Sequence, residues 1–143
     1  MTSVCWFKRD LRLFDHEALV LSTQNGPTLF LYILEPELWQ QKDLSYRHYK
    51  FLVESIKALD EEFQKRGHKL IVQVGDAVSV LDRIKKKIGC FTLFSHQETW
   101  NFWTYQRDLR VKKWAQHNQV LWKEPRQFGV FRCLDSRDSW SNM

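Results

Sequence analysis

Glycine is scarce in this chain of 143 residues, which contains five, and none of them stands in a phosphate-binding pattern. Neither a Gly-x-Gly-x-x-Gly turn nor a Gly-x-x-x-x-Gly-Lys loop is present, so both common glycine-rich cradles for nucleotide phosphates are excluded. No serine lies in a Gly-x-Ser-x-Gly turn. The sequence therefore gives no support for a hydrolase nucleophile, and no catalytic residue is predicted.

Long apolar runs are also missing, because none approaches the roughly 20 residues that a membrane helix needs. The amino terminus carries Lys8 and Arg9 directly after a short apolar run, which is unlike a signal peptide. We therefore expect a cytoplasmic protein with no membrane partner. The cysteines Cys5, Cys90 and Cys133 lack a Cys-x-x-Cys spacing and are predicted to be reduced, largely buried thiols.

The composition is that of an ordinary globular domain, with 43% apolar and 27% charged residues, and the length suits one domain. The net charge of +5 suggests nucleic-acid binding. However, Lys85, Lys86 and Lys87 are consecutive on a predicted helix, so a solvated helix face is favoured over a stripe that follows phosphates. No pair of histidines or cysteines has metal-ligand spacing, so no metal site is predicted.

Short apolar runs predict five β-strands. The runs are continuous rather than alternating, which is typical of parallel strands that are covered on both faces. They comprise residues 4–7, 28–34, 70–74, 91–94 and 120–122. Apolar residues recur at helical spacing over 46–65, Asp76 and Gly89 bound a second helix, and Thr99 is a candidate cap for a third. This alternation predicts an α/β fold with a doubly wound parallel sheet.

Charged residues concentrate where the first predicted strand ends. Arg9, Asp10 and Arg12 follow directly after the apolar run 4–7. In open parallel sheets ligands bind at the carboxyl ends of the strands, so these side chains are candidates to hold a ligand or to brace the loop. Bracing is favoured, because a carboxylate between arginines is readily paired.

A second set of candidate residues lies near two other predicted strand ends. Arg47 begins the helix over 46–65, where its guanidinium can meet an anionic or carbonyl-rich ring or remain exposed to solvent; both alternatives stay open. Glu98 and Trp103 follow the fourth predicted strand. The chain has seven tryptophans, for which packing in the core and at interfaces is the favoured role.

Residues 4–19, with the sequence Val-Cys-Trp-Phe-Lys-Arg-Asp-Leu-Arg-Leu-Phe-Asp-His-Glu-Ala-Leu, closely resemble the opening block of the photolyase/cryptochrome family. A second similarity runs from His-Gln-Glu-Thr at 96–99 to Ser-Arg-Asp-Ser-Trp at 136–140. The resemblance implies the family's amino-terminal α/β domain over residues 1–134, with a Rossmann-like five-stranded sheet of order 3-2-1-4-5. Residues 135–143 would begin a linker to a helical FAD-binding domain that the chain lacks.

The resemblance also implies a function. The domain would be the light-harvesting antenna of a flavoprotein, a deoxyribodipyrimidine photolyase that acts in DNA repair as a carbon-carbon lyase, or a cryptochrome. The candidate chromophore-binding residues are Arg9, Asp10 and Arg12, from their place at the end of the first strand, together with Arg47, Glu98 and Trp103, which the resemblance places near the antenna groove. In the family, the block that contains Arg9, Asp10 and Arg12 resembles a structural signature more than a set of catalytic groups. Folate-binding members carry an Asn-Glu pair where this chain has Trp103 and Thr104, so a flavin or deazaflavin antenna is favoured over a folate. FAD itself would bind only in the carboxyl-terminal domain.

Two alternatives keep the same fold. One is a blue-light sensor of the cryptochrome type without repair activity, and the other is a stand-alone α/β binding module that docks a partner through residues 99–114. In the family interpretation the partner is the protein's own FAD domain, and damaged DNA is bound only by the full-length protein. We also expect self-association of the isolated domain, because the surface that packs on the helical domain is left apolar and uncovered.

Overall fold

The computed structural model describes residues 2–13, 16–38, 46–97 and 102–125. Its strands and helices alternate along the chain. In order they are β1 (Thr2–Phe7), α1 (Glu17–Asn25), β2 (Thr28–Leu34), α2 (Tyr46–Lys65), β3 (Leu70–Val74), α3 (Ala77–Ile88), β4 (Phe91–Phe94), α4 (Phe102–His117) and β5 (Leu121–Lys123). The bounds predicted for β2, β3, β4 and α2 are confirmed, and β1 begins earlier than predicted. The proposed cap at Thr99 lies outside the described residues.

The strands form one parallel sheet in the order β3-β2-β1-β4-β5, as predicted. The central strand β1 pairs with β2 on one side and with β4 on the other, so that Val4 is aligned with both Leu29 and Leu93. The chain leaves β1 toward β2 and later returns to β4 on the opposite side. The loops after β1 and β4 therefore diverge at the carboxyl edge, which is the usual ligand position in such sheets.

Helices cover both faces of the sheet, in two pairs. Residues of α3 and α4 pack with Val4 and Trp6 in one core, whereas residues of α1 and α2 pack with Cys5 and Phe7 in the other. Successive side chains of a strand point to opposite faces, so β1 supplies both cores in alternation. Full burial of one such apolar side chain contributes about 1.5–3 kcal/mol to stability.

The edges of the sheet differ from the prediction that every strand is covered on both faces. On the outer strand β3, Val72 and Val74 are 42% and 58% exposed, and Leu121 on the opposite edge is 58% exposed. An edge strand has a neighbouring strand on one side only, so its side chains receive less cover. The prediction of buried cysteines is confirmed for Cys5 and wrong for Cys90, which is exposed at the start of β4; Cys133 lies outside the described residues.

The predicted end signals of α3 are both present. Asp76 is the N-cap, and its carboxylate accepts a hydrogen bond of 3.3 Å from the Ser79 amide. Gly89 ends the helix with a positive φ of 86°, a conformation that favours glycine, and donates its amide to the Lys85 carbonyl. Among the described residues, no helix combines the length and apolar character needed to cross a membrane.

Candidate functional site

Two buried polar clusters lie at the carboxyl edge of the sheet, on opposite faces. The histidine cluster consists of Asp10, His16 and His96, and the His16 ring packs against Phe7 on the α1 face. The arginine network consists of Lys8, Glu35, Arg107 and Asp108. The Lys8 ammonium lies 4.5 Å from the centre of the Trp6 ring, which belongs to the α3/α4 core. The two clusters face opposite sides of the sheet and are connected through Lys8, whose amide donates to Asp10 and whose ammonium donates to the His96 carbonyl.

The histidine cluster is built around one carboxylate. Nδ1 of His96 lies 2.6 Å from Oδ2 of Asp10, and Nε2 of His16 lies 3.0 Å from the same oxygen. The other oxygen, Oδ1, accepts a hydrogen bond of 2.8 Å from the Lys8 amide. All three side chains are almost fully buried, so the carboxylate is held by protein groups rather than by solvent.

Backbone amides at the start of α1 determine which ring nitrogens carry protons. Nδ1 of His16 accepts a hydrogen bond of 3.0 Å from the Leu19 amide, and Nε2 of His96 accepts one of 3.4 Å from the Ala18 amide. A neutral imidazole has one donor and one acceptor nitrogen, so the nitrogen nearer Asp10 carries the proton in each ring. The His96 proton lies in the short contact with Asp10, whereas Nε2 of His16 lies near the carboxylate without hydrogen-bond geometry. The cluster thereby ties the loop after β1, the end of β4 and the amino terminus of α1 together.

The same three side chains are the group of potential metal ligands in the described part of the chain, since their ligand atoms lie within 4.8 Å of one another. The distances between these ligand atoms suit hydrogen bonds better than coordination of a metal ion. Ligands of a tetrahedral zinc site lie about 3.3 Å apart, farther than the 2.6 Å between His96 and Asp10. A metal on the two inner nitrogens would also require protons on the outer nitrogens, which already accept from amides.

The environment of Asp10 keeps its carboxylate ionised. Burial by itself raises the pKa of Asp10, but the hydrogen bonds from His16, His96 and the Lys8 amide outweigh it and hold the pKa well below its usual range. The sequence suggested arginines as the partners of Asp10. The partners that the structure shows are two histidines, one of which is distant in sequence.

The arginine network centres on a guanidinium inside the protein. Arg107 is 2% exposed and donates to Glu35 at 2.7 Å and to Asp108 at 2.9 Å. Lys8 donates to the His96 carbonyl at 3.1 Å and lies 3.4 Å from Asp108. Sequence reasoning did not single out Arg107 or Glu35. Arg107 precedes Val111 by four positions on the buried stripe of α4, and this spacing was the available signal.

Aromatic rings surround the network. The Arg107 guanidinium lies 5.0 Å from the Trp6 ring centre and 5.8 Å from that of Trp103. The other described indoles, Trp114 and Trp122, pack in or against the α3/α4 core, as predicted. Their ring nitrogens donate to Asp82 at 3.2 Å and to the Ser95 hydroxyl at 2.9 Å, respectively. Cations held over indole faces in a dry environment are stabilised by about 2 kcal/mol each.

A cavity of about 240 Å³ adjoins the arginine network. It lies at the ends of β2 and β3 and beside the first turn of α4. Its lining consists of Glu35, Pro36, Glu37, Gly75, Asp76 and Trp103. A second cavity of about 20 Å³, between the start of the β1 loop and Arg107, is large enough for little more than a water molecule. The larger cavity thus lies beside β2 and β3, whereas the strand order led us to expect a crevice between the loops after β1 and β4.

Three of the predicted chromophore-binding residues have clear positions at this edge. Trp103 is partly exposed and forms one wall of the larger cavity. Arg9 is exposed and borders the small cavity. Asp10 belongs to the histidine cluster and lines neither cavity. Of these three, only Trp103 faces a space that can hold part of an organic ligand.

Two other predicted residues, Arg12 and Arg47, are not among the described lining residues of the larger cavity. Arg12 is partly buried in the loop after β1 and is not among the lining residues. Arg47 is exposed in the first turn of α2, which packs on the sheet face opposite α4 and Trp103. Glu98 lies outside the described residues. The expected meeting of Arg47, Glu98 and Trp103 remains a prediction.

Comparisons with known proteins point to one family. The sequence profile of the DNA photolyase family matches residues 3–135. Cryptochrome DASH of Synechocystis sp. is 33% identical over 103 residues, which cover 68% of this chain and 21% of that protein. Cryptochrome-2 of Gallus gallus is 30% identical over 119 residues, with coverages of 82% and 20%. The chain therefore spans about a fifth of the length of these relatives.

Solved structures share the fold. The Synechocystis cryptochrome superposes with a TM-score of 0.76 at 27% identity, and the match covers 86% of this chain and 26% of that one. The archaeal photolyase of Sulfolobus tokodaii superposes with a TM-score of 0.82 at 24% identity, covering 99% and 34%. That photolyase is described with two FAD molecules and the implication of a novel light-harvesting cofactor.

Proposed function

The chain belongs to the DNA photolyase family, and from this premise we propose that it is the antenna domain of a photolyase or cryptochrome. The observation that carries the proposal is the cavity of about 240 Å³ at the carboxyl edge of the sheet, with Trp103 in its wall. Such an edge is where doubly wound sheets bind ligands. An indole face beside an open cavity supplies stacking area for a planar chromophore.

The chromophore that we propose is a flavin or a deazaflavin. A tricyclic ring can stack on Trp103, and the buried pair of Arg107 and Glu35 forms a rigid wall behind it. Rigid walls favour binding because fewer side chains lose freedom when the ligand arrives. In this function the domain absorbs light and transfers excitation, so its own residues need to bind and orient the ring and to perform no bond chemistry.

The activity of the whole protein is a further part of the proposal. FAD in a helical carboxyl-terminal domain would receive the excitation and drive either the splitting of pyrimidine dimers in DNA or blue-light signalling. Proteins named for both activities support this part of the proposal. The blue-light photoreceptor PHR2 of Arabidopsis thaliana is 29% identical, and the photolyase of Sulfolobus tokodaii shares the fold. DNA would be bound by the full-length protein, and the described residues of this domain contribute dispersed positive charge only.

An apolar stripe on α4 supports the proposed contact with the helical domain. Phe102, Tyr105 and Leu109 recur at helical spacing and are 74%, 57% and 44% exposed. Exposed apolar side chains arranged in one stripe are typical of surfaces that pack against another domain. We therefore propose the α4 stripe, defined by these three residues, as part of the interface with the FAD domain.

Ligand titration tests the antenna function. Riboflavin, FMN, a deazaflavin and a reduced folate are added separately to the 143-residue chain, and binding is followed by fluorescence quenching. We expect a flavin or the deazaflavin to bind, and Trp103→Ala to weaken binding by up to about tenfold, because stacking on an aromatic ring contributes about 0.5–1.5 kcal/mol. The control is Tyr105→Ala, which removes an exposed ring from the same helix away from the cavity.

The outcomes separate the possible sites. A preference for the folate would contradict the interpretation of Trp103, and failure of all four ligands to bind would contradict the antenna function. Arg47→Ala provides a third comparison. If it abolishes flavin binding while Trp103→Ala does not, the site lies on the α2 face, as the resemblance first implied.

A further inference from the structure

We propose that β3 pairs edge to edge with β3 of a second copy of this chain, so that two five-stranded sheets join into one continuous sheet. β3 is the last strand on its side of the sheet, and among the described residues it pairs with β2 only. The proposal concerns this edge of the domain and does not depend on the antenna function.

The two edge strands of the sheet differ in how they are protected. Edge strands of soluble proteins are commonly short, or they carry charged residues or proline that prevent pairing with another chain. β5 fits this description, because it has three residues, ends at Lys123 and is followed closely by Pro125. β3 has five residues, Leu-Ile-Val-Gln-Val, and contains neither a charge nor a proline. β3 therefore lacks the usual features that prevent pairing.

The backbone of β3 presents hydrogen-bonding groups to the outside. The Gly75 amide donates to the Leu34 carbonyl of β2 at 3.0 Å. Because backbone groups alternate in direction along a strand, the amides and carbonyls of Leu70, Val72 and Val74 point away from β2. A strand of another chain can therefore bond to them.

One contact supports this direction and also shows where the edge is covered. The Leu70 amide donates to the Asp60 carboxylate of α2 at 3.0 Å, so it does point away from β2. No described residue accepts a hydrogen bond from the amide of Val72 or Val74. Asp60 thus covers the beginning of β3, and the rest of the edge stays available.

The exposed side chains of β3 lie on one face. Leu70 belongs to the α1/α2 core, and alternate side chains of a strand share a face, so Val72 and Val74 lie on the α2 side as well. They are 42% and 58% exposed. A strand that paired with β3 would cover these valines and satisfy the outer backbone groups together.

The strand is complementary to itself in an antiparallel pair. With Val72 on the two-fold axis, Val72 lies opposite its own counterpart, and Leu70 lies opposite Val74 of the second copy. The same register brings Asp76 of each copy beside Lys69 of the other, and both of these side chains are exposed. Opposite charges across paired strands are stabilising, which favours a second copy as the partner. Because Asp76 lines the larger cavity, the second copy would place a basic side chain at its rim.

Disulfide trapping tests the register. Each variant is made with Cys90→Ser and Cys133→Ser and is oxidised mildly at the same protein concentration. Val72→Cys should form a covalent dimer on a non-reducing gel, because directly opposed Cα atoms lie about 5.5 Å apart, within the range of disulfides. The control is Val74→Cys, which is the more exposed position but would lie about 14 Å from its counterpart. Equal crosslinking of the two variants, or no dimer of Val72→Cys, overturns the proposal.

Sedimentation of the 143-residue chain tests the strength of the pairing. All variants carry Phe102→Ser and Leu109→Ser, so the α4 stripe does not contribute. Val72→Lys places like charges opposite each other on the axis and should raise the dissociation constant of the dimer at least about tenfold. Leu121→Lys makes the same charge change on β5 and should leave it unchanged.

Two outcomes of the sedimentation experiment would overturn the pairing of β3. One is an equal weakening by Leu121→Lys, which would mean that net charge alone keeps the copies apart. The other is a strict monomer before either lysine is introduced. Urea denaturation of both lysine variants checks that they fold, and the disulfide test does not depend on them.

Discussion

The histidine cluster and the arginine network lie at the same edge of one sheet, and both bury charge. They differ in what lies beside them. The inner ring nitrogens of His16 and His96 face Asp10, and the outer ones face backbone amides. In the arginine network, by contrast, Glu35 pairs with Arg107 and also lines a cavity. Buried charge alone therefore does not mark a ligand site; an adjoining space of suitable size and chemistry does.

The comparison also separates two roles of buried polar groups. The histidine cluster joins the loop after β1 to α1 and β4, so it holds the edge of the sheet together. The arginine network joins β2 to α4 and so supports the cavity wall. Removing one member of a buried, paired set leaves its partner without compensation, which is costly in either place.

The largest effect is expected from Arg107→Met. This change leaves the buried carboxylate of Glu35 without its guanidinium, so the free energy of unfolding should fall by about 3–5 kcal/mol in urea denaturation. The control is Lys86→Met, which removes an exposed ion pair with Asp82 and should cost less than about 1 kcal/mol. Similar losses in the two variants would show that the arginine network is no stronger than a surface pair.

A smaller loss is expected from Asp10→Asn. The amide places an N–H group where the carboxylate oxygen accepted from His96 and lay 3.0 Å from Nε2 of His16, so about 2–3 kcal/mol of stability should be lost. Riboflavin affinity should change less than it does in Trp103→Ala, because Asp10 lies on the other face of the sheet. A larger loss of affinity than in Trp103→Ala would mean that the histidine cluster belongs to the ligand site.

The pH dependence of stability sharpens the same comparison. The pKa of Asp10 is lowered on folding, so its contribution is fully present above its unfolded pKa of about 4 and is lost as the pH falls below that value. The Asp10→Asn variant has no carboxylate at this position, so its stability does not include this contribution at any pH. Unfolding free energies measured between about pH 5 and pH 2 should therefore converge for the wild type and the variant. Curves that stay parallel would contradict an ionised Asp10.

The smallest effect concerns the surface. The double change Phe102→Ser and Leu109→Ser should reduce self-association in sedimentation experiments and alter stability by less than about 1 kcal/mol, because both side chains are exposed. The matched control is Phe51→Ser on α2, whose side chain is 71% exposed on the opposite face. If the control reduces self-association equally, the α4 stripe is not a distinct interface.

Much of the fold was predictable because its signals are local. Continuous apolar runs defined β2, β3 and β4, and Asp76 and Gly89 marked the ends of α3. The candidate site was predicted less completely: Trp103 lines the cavity, but Glu35 and Arg107 were missed. Nothing near Glu35 in the sequence distinguishes it from a solvated loop residue. Its importance arises from a partner that is 72 positions away.

The sequence by itself determined the alternation of strands and helices, since apolar periodicity and capping residues act within a few positions of one another. Its resemblance to the photolyase/cryptochrome family then supplied the strand order. Only the tertiary structure decided that Asp10 meets His96, 86 positions away, and that Arg47 and Trp103 lie on opposite faces. The physical reason is that hydrogen bonds and ion pairs depend on distances of a few ångströms. Those distances are set by strand register and helix packing, which no local pattern contains.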